Sequence, residues 1–137
     1  MIVGTFEHTV PAPTNLWQIA EWVSPDQINW QYAGTVLTTR QMPPAGQGSV
    51  YSPTITEFAP GVWRMFFTAD DRPAPTSRSG VWSAVSTDRL NWEIEGQVLG
   101  GSSTDLYYAT LAGNRIFFVR KDVGSPLRLA EATVQMP

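Results

Sequence analysis

Val50-Tyr51-Ser52-Pro53-Thr54-Ile55-Thr56-Glu57-Phe58 is followed by a Pro60-Gly61 turn and by Val62-Trp63-Arg64-Met65-Phe66-Phe67-Thr68. After a polar loop come Gly80-Val81-Trp82-Ser83-Ala84-Val85-Ser86 and then Asn91-Trp92-Glu93-Ile94-Glu95-Gly96-Gln97-Val98-Leu99. The stretch reads as four short strands in antiparallel succession. Trp63, Met65 and Phe67 alternate onto one face of their strand, and Trp92 and Ile94 onto one face of theirs. Pro-Gly, Thr-Asp and glycine punctuation separates the runs. Residues 50–99 are therefore expected to form one four-stranded meander.

Working outward, the same pattern recurs. Ser24-Pro25-Asp26-Gln27-Ile28-Asn29-Trp30 matches Ser86-Thr87-Asp88-Arg89-Leu90-Asn91-Trp92 at a spacing of 62. Gly34-Thr35-Val36-Leu37 matches Gly96-Gln97-Val98-Leu99, and Pro11-Ala12-Pro13-Thr14 matches Pro73-Ala74-Pro75-Thr76, both at that spacing. A weaker third copy follows. Leu106-Tyr107-Tyr108-Ala109-Thr110-Leu111 resembles Val50-Tyr51-Ser52-Pro53-Thr54-Ile55, and Arg115-Ile116-Phe117-Phe118 resembles Arg64-Met65-Phe66-Phe67. With the strands of a unit lettered A to D, the chain reads B, C, D, then A, B, C, D, then A, B, C. The first unit occupies residues 1–37, with strands near 1–9, 16–24 and 28–37. The last occupies 106–134, with its third strand over 127–134. An N-cap at Thr14 would permit a helix through Trp22, but the repeat places a strand there.

The composition bounds the class. The chain has 137 residues, 42% hydrophobic and 15% charged, enough for one domain with a real core. Eleven Gly and eleven Pro favour turns over helices, and six Trp supply much of the packing area. A net charge of −3 offers no basic patch for phosphate backbones, which argues against nucleic-acid binding. With no cysteine, disulfide and thiolate chemistry are excluded. No run is long enough to cross a bilayer, so no membrane partner is expected. Met1 to His8 lacks the basic start and apolar run of a leader; the expectation is a cytoplasmic protein, with export left open.

A repeating four-stranded antiparallel unit of this size is the signature of a propeller blade. One such sheet has two faces and cannot bury both alone, so copies stack face to face. Trp17, Trp30, Trp63, Trp82 and Trp92 are expected to fill the spaces between them. The fold class expected is all-β: a partial β-propeller of four-stranded antiparallel blades, about ten strands, completed by oligomerisation. The alternative is a β-sandwich. A two-fold dimer would give about six blades, or five if terminal strands merge.

The middle unit resembles one blade of the five-bladed glycoside hydrolases, the arabinanase, β-xylosidase and fructosidase-like families. The resemblance rests on Ser52-Pro53-Thr54-Ile55, on Trp63-Arg64-Met65-Phe66-Phe67-Thr68-Ala69, and on the closing Ala84-Val85-Ser86-Thr87-Asp88-Arg89-Leu90-Asn91-Trp92. The close is also similar to the Asp-box of sialidases. The Ser-x-Asp-x-x-Asn-Trp elements are read as structural turns: Ser24, Asp26, Trp30 and Ser86, Asp88, Trp92. There a Ser or Asp side chain accepts N–H bonds within its own turn, and the Trp pins the hairpin to the next blade.

The resemblance implies a site at the end of the propeller where strand A begins. It places Tyr51, Ser52, Thr54, Asp105, Tyr107, Tyr108 and Thr110 near the axis, with Asp70, Asp71, Arg72 and Arg120, Lys121, Asp122 at the B-to-C corners and Glu7-His8 at the first. Rings stack on apolar sugar faces, and fixed carboxylates and guanidinium groups bond hydroxyls. The ligand-binding set is thus Tyr51, Ser52, Thr54, Asp71, Arg72, Asp105, Tyr107 and Tyr108. Hydrolysis needs two carboxyls. Thr54 and Thr110 stand where the resembled motif carries an acid, so Asp70, Asp71, Asp105 and Asp122 are the remaining catalytic candidates. His8 is the single histidine and, without a Ser or Cys partner, defines neither a triad nor a metal site. No cofactor and no metal are expected, since no phosphate loop or zinc spacing occurs. The function expected is a lectin-like carbohydrate-binding module with an oligosaccharide ligand. The alternatives are a glycoside hydrolase assembled across a homo-oligomer and a protein-interaction domain.

Overall fold

The computed structural model describes residues 3–8, 17–44, 48–70, 78–100 and 104–134, and only the backbone for 3–8. Among these the chain forms ten strands: β1 (Val3–His8), β2 (Trp17–Val23), β3 (Gln31–Leu37), β4 (Ser49–Ala59), β5 (Val62–Asp70), β6 (Ser79–Ser86), β7 (Glu93–Leu99), β8 (Thr104–Ala112), β9 (Arg115–Asp122) and β10 (Arg128–Thr133). No described residue lies in an α-helix; a single 3-10 turn spans Thr39–Gln41. Among the described residues, no helix is long and apolar enough to cross a membrane.

The strands form three antiparallel meanders, β1-β2-β3, β4-β5-β6-β7 and β8-β9-β10. This is the three, four and three strands that the repeat predicts, in three sheets rather than the two of a sandwich. From Trp17 onward the segment weighed as a helix is strand β2. The repeat extends to hydrogen-bond register. Ile19↔Leu37, Ala20↔Thr35, Glu21↔Gly34 and Trp22↔Tyr32 recur at a spacing of 62 as Val81↔Leu99, Trp82↔Gln97, Ser83↔Gly96 and Ala84↔Ile94. Both copies of the bulge contain a glycine in the region closed to side chains, Gly34 at φ 147° and Gly96 at φ 141°.

The hairpins between β2 and β3 and between β6 and β7 are built on aspartates. Asp26 Oδ1 accepts from the Ile28 and Asn29 N–H groups at 2.9 and 2.8 Å, and Oδ2 accepts from Asn29 Nδ2 at 2.7 Å. Asp88 repeats this with Leu90 and Asn91, at 2.8 Å in every bond. Gln27 and Arg89 sit at matching left-handed φ of 63° and 62°. The indole N–H of Trp92 donates to the Arg89 carbonyl at 3.0 Å, which ties the turn to the core. The Asn29 and Asn91 backbone N–H bonds come first in holding each carboxyl well below the ordinary range, because they stabilise the charged form.

The β4–β7 sheet is buried on both faces. One carries Val50, Met65, Phe67, Ala69, Trp82, Ala84 and Trp92 into a layer with Ile19, Val36 and Leu37 of the first sheet. The other carries Phe66 and Val81 into a layer with Leu106, Ala109, Ile116 and Phe118 of the third. Phe66 and Phe67, adjacent in sequence, thus enter opposite layers, at 2% and 0% exposure. Trp63 also packs against the first layer. The expectation for the other tryptophans needs correction. Trp30 is half-buried and Trp17 is 37% exposed, because Trp17 opens β2 at the sheet's end rather than over its middle.

Candidate functional site

One end of this stack gathers the starts of β2, β4, β6 and β8 and the finishes of β1, β5 and β9. Antiparallel pairing enforces this: Ser49 lies opposite Asp70, Asp70 opposite Ser79, His8 opposite Trp17, and Thr104 opposite Asp122. The polar hairpins just described lie at the other end.

The starts of β4 and β8 share an irregularity. Their registers slip by one residue between Tyr51 and Thr54 and between Tyr107 and Thr110. At the slip Ser52 and Tyr108 adopt left-handed φ of 52° and 55°, uncommon for a side chain other than glycine. The bulge re-aims the residues around it. Tyr51 is buried to 9% exposure, while Tyr108 is 61% exposed. Their rings meet edge to face with centroids 6.4 Å apart, and the half-buried Tyr107 ring lies 6.1 Å from Tyr108. The Tyr108 backbone N–H donates to Oγ1 of the fully buried Thr68 at 3.2 Å, crossing from the third sheet to the second. An exposed ring is therefore held from behind by a buried ring and a buried hydroxyl.

The acids take separate stations. Asp105 Oδ1 accepts the Ser79 backbone N–H at 3.0 Å and the Ser79 hydroxyl at 3.4 Å, so it caps the start of β6 from the neighbouring sheet. Asp70 ends β5 at 3% exposure. Asp122 accepts from Arg120 Nε at 3.0 Å and from the Thr104 hydroxyl at 2.8 Å. The Arg120 bond comes first in pulling its carboxyl below the ordinary range. Thr54 is half-buried on β4, and Thr110 is exposed on β8. Asp71 and Arg72 lie outside the described residues, as does the side chain of His8. Among the described residues, no three or more His, Asp or Glu side chains converge to hold a metal ion.

Three residues at this end carry structural work that their type did not advertise. Trp17 donates its backbone N–H to the Ser49 hydroxyl at 3.3 Å, beside the start of β4. The expectation that its ring fills the space between sheets concealed it. Thr68 and Ser79 anchor Tyr108 and Asp105; their pairing opposite β4 and β5 was the available signal. A groove of about 360 Å³ lies elsewhere, between β7 and the end of β10, lined by Arg64, Phe66, Glu95, Gln97, Leu99 and Val134 among others. Its two charges already form a bidentate pair at 2.9 and 3.0 Å, with Arg64 also over the Phe58 ring at 4.2 Å. It contains none of the residues expected to bind ligand. No family model matches the chain, and no curated protein matches it.

Proposed function

We propose that this chain is a carbohydrate-binding, lectin-like module whose sheets are blades of a β-propeller, related in their pattern to those of the glycoside hydrolases. The observation that carries the reading is the tyrosine cluster. Tyr108 presents most of its ring to solvent, buttressed by Tyr51 and flanked by Tyr107, at the sheet end where Asp70 and Asp105 also stand. A rigid ring is a platform for the C–H face of a pyranose or furanose, and it loses little freedom on binding. Thr54, Asp105 and the neighbouring strand ends supply hydroxyl and carboxylate partners for sugar hydroxyls. The Asp105 carboxylate is engaged with Ser79, and that of Asp122 with Arg120 and Thr104, so both act as fixed acceptors. That favours binding over turnover.

The test is calorimetric titration with a panel of arabino-, xylo- and fructo-oligosaccharides. The expected result is binding in the micromolar-to-millimolar range by at least one. Tyr108→Ala and Tyr107→Ala should each weaken it about fivefold or more, since one lost stacking ring is worth roughly 1 kcal/mol or more. No binding across the panel, or affinity unchanged in both variants, overturns the reading.

A further inference from the structure

The internal repeat assigns a partner to two faces that bear large rings and that no sheet covers among the described residues; the one on sheet three also carries the Arg115–Glu131 ion pair, with Arg115 over the Phe117 ring at 5.6 Å. Each layer joins unlike faces. In the first, Ile19 and Leu37 of sheet one meet the Met65, Phe67 and Trp82 face of sheet two. In the second, Phe66 and Val81 of sheet two meet the Leu106, Ile116 and Phe118 face of sheet three. By register Ile19 and Leu37 are the counterparts of Val81 and Leu99, and Leu106, Ile116 and Phe118 are the counterparts of Val50, Met65 and Phe67. Both layers are thus the same joint, used twice. The same correspondence identifies the two outer faces, which stay partly exposed. On sheet three, Phe117, Val119 and Leu129 occupy the positions of Phe66, Thr68 and Val81, and Leu129 is 76% exposed. On sheet one, Trp22 and Tyr32 occupy the positions of Ala84 and Ile94, and Tyr32 is 46% exposed.

We propose that a second copy of this chain makes the joint a third time: the Phe117, Val119, Leu129 face of one copy seats on the Trp22, Tyr32 face of the other. The contact is head to tail. Two copies related by a two-fold axis along the stack's centre make it twice and close a ring of about six sheets. The proposal rests on the radial arrangement of sheets in the preceding reading and is independent of carbohydrate binding.

Sedimentation analysis of the full chain at micromolar concentration is the test, with Leu129→Glu and Tyr32→Glu as variants. Both positions are exposed in the single chain, so the folded monomer is retained, and circular dichroism checks it. Wild type should be dimeric. Each variant should raise the dimer dissociation constant by about a hundredfold, because it buries an unpaired carboxylate. Mixing the two variants should restore a dimer, since one of its two joints is then unaltered on both sides. A monomeric wild type overturns the inference. So does a dimer broken by Leu129→Glu and untouched by Tyr32→Glu, which marks a like-on-like contact. A monomer that binds sugar overturns this inference alone; a dimer that binds none overturns only the carbohydrate reading.

Discussion

Phe66→Ala and Phe67→Ala form the most direct probe of a sheet buried on both faces. In an antiparallel sheet with one solvated face, neighbours on a strand have unequal worth. The inward residue costs several kcal/mol to truncate, and the outward one stays within about 0.5 kcal/mol. Here Phe66 is 2% exposed in one layer and Phe67 is 0% exposed in the other. Truncating a fully buried phenylalanine costs about 3–5 kcal/mol, from lost transfer energy and the cavity left behind. Both variants should therefore lose about 3–5 kcal/mol each, although their side chains point in opposite directions. The two cavities lie on opposite sides of a backbone, so the losses should add. A domain of this size has about 5–15 kcal/mol in all, which puts the double variant at or past the edge of unfolding. Urea denaturation followed by tryptophan fluorescence measures this, with the six tryptophans as reporters. A cost below about 1 kcal/mol for either single variant would refute the two-sided burial.

Three further outcomes follow from the geometry. Asp26 and Asp88 are charged well below the ordinary value of 3.8, so the stability they lend is present above that pH and is lost as pH falls toward their folded values. Asp88→Asn should flatten the drop in melting temperature between about pH 5 and 2, and an unchanged slope would contradict the assignment. At Tyr108, glycine pays no steric penalty for φ 55°; Tyr108→Gly should be about 1 kcal/mol more stable than Tyr108→Ala by denaturant midpoint, and equality would remove the strain argument. Asp105→Ala leaves the Ser79 N–H, in a residue 5% exposed, without its acceptor, and should cost about 1–3 kcal/mol, partly recovered by Asp105→Asn; a neutral result would mean the inter-sheet cap contributes nothing.

How much of this was readable beforehand depends on where the side chain's identity is the cause. Strands β2, β3, β6 and β7 were legible because turn chemistry fixes them: Ser, Asp, Asn and Trp at one spacing build one hairpin, and Gly34 and Gly96 recur at that same spacing. The bulges at Ser52 and Tyr108 left no such mark. Neither residue favours a left-handed φ; tertiary contacts impose it, among them the Thr68 hydroxyl on the Tyr108 N–H. The tyrosine cluster was legible from the match of Tyr107 to Tyr51, but its anchors were not, because Thr68 and Ser79 act through pairings that only the folded sheet creates. Trp17 was misassigned because ring size alone says nothing about a residue's distance from the sheet's end.

The weakness of the third copy also has a physical cause. A repeated joint conserves total volume, not the residue at each position. In the first layer the second sheet contributes Trp82, and the first sheet places Gly4 at the register position of Phe66. In the second layer the third sheet offers Ala130 at the position of Trp82, and the second sheet contributes Phe66 itself. Large against small in one layer becomes small against large in the next. A position-by-position comparison sees Gly for Phe and Ala for Trp and scores two losses. The layer sees one exchange, with the bulk moved across the gap. It follows that the matching of faces, rather than identity along the chain, is what the repeat preserves, and that a partner for the Leu129 face should be sought by its volume and its place in the sheet.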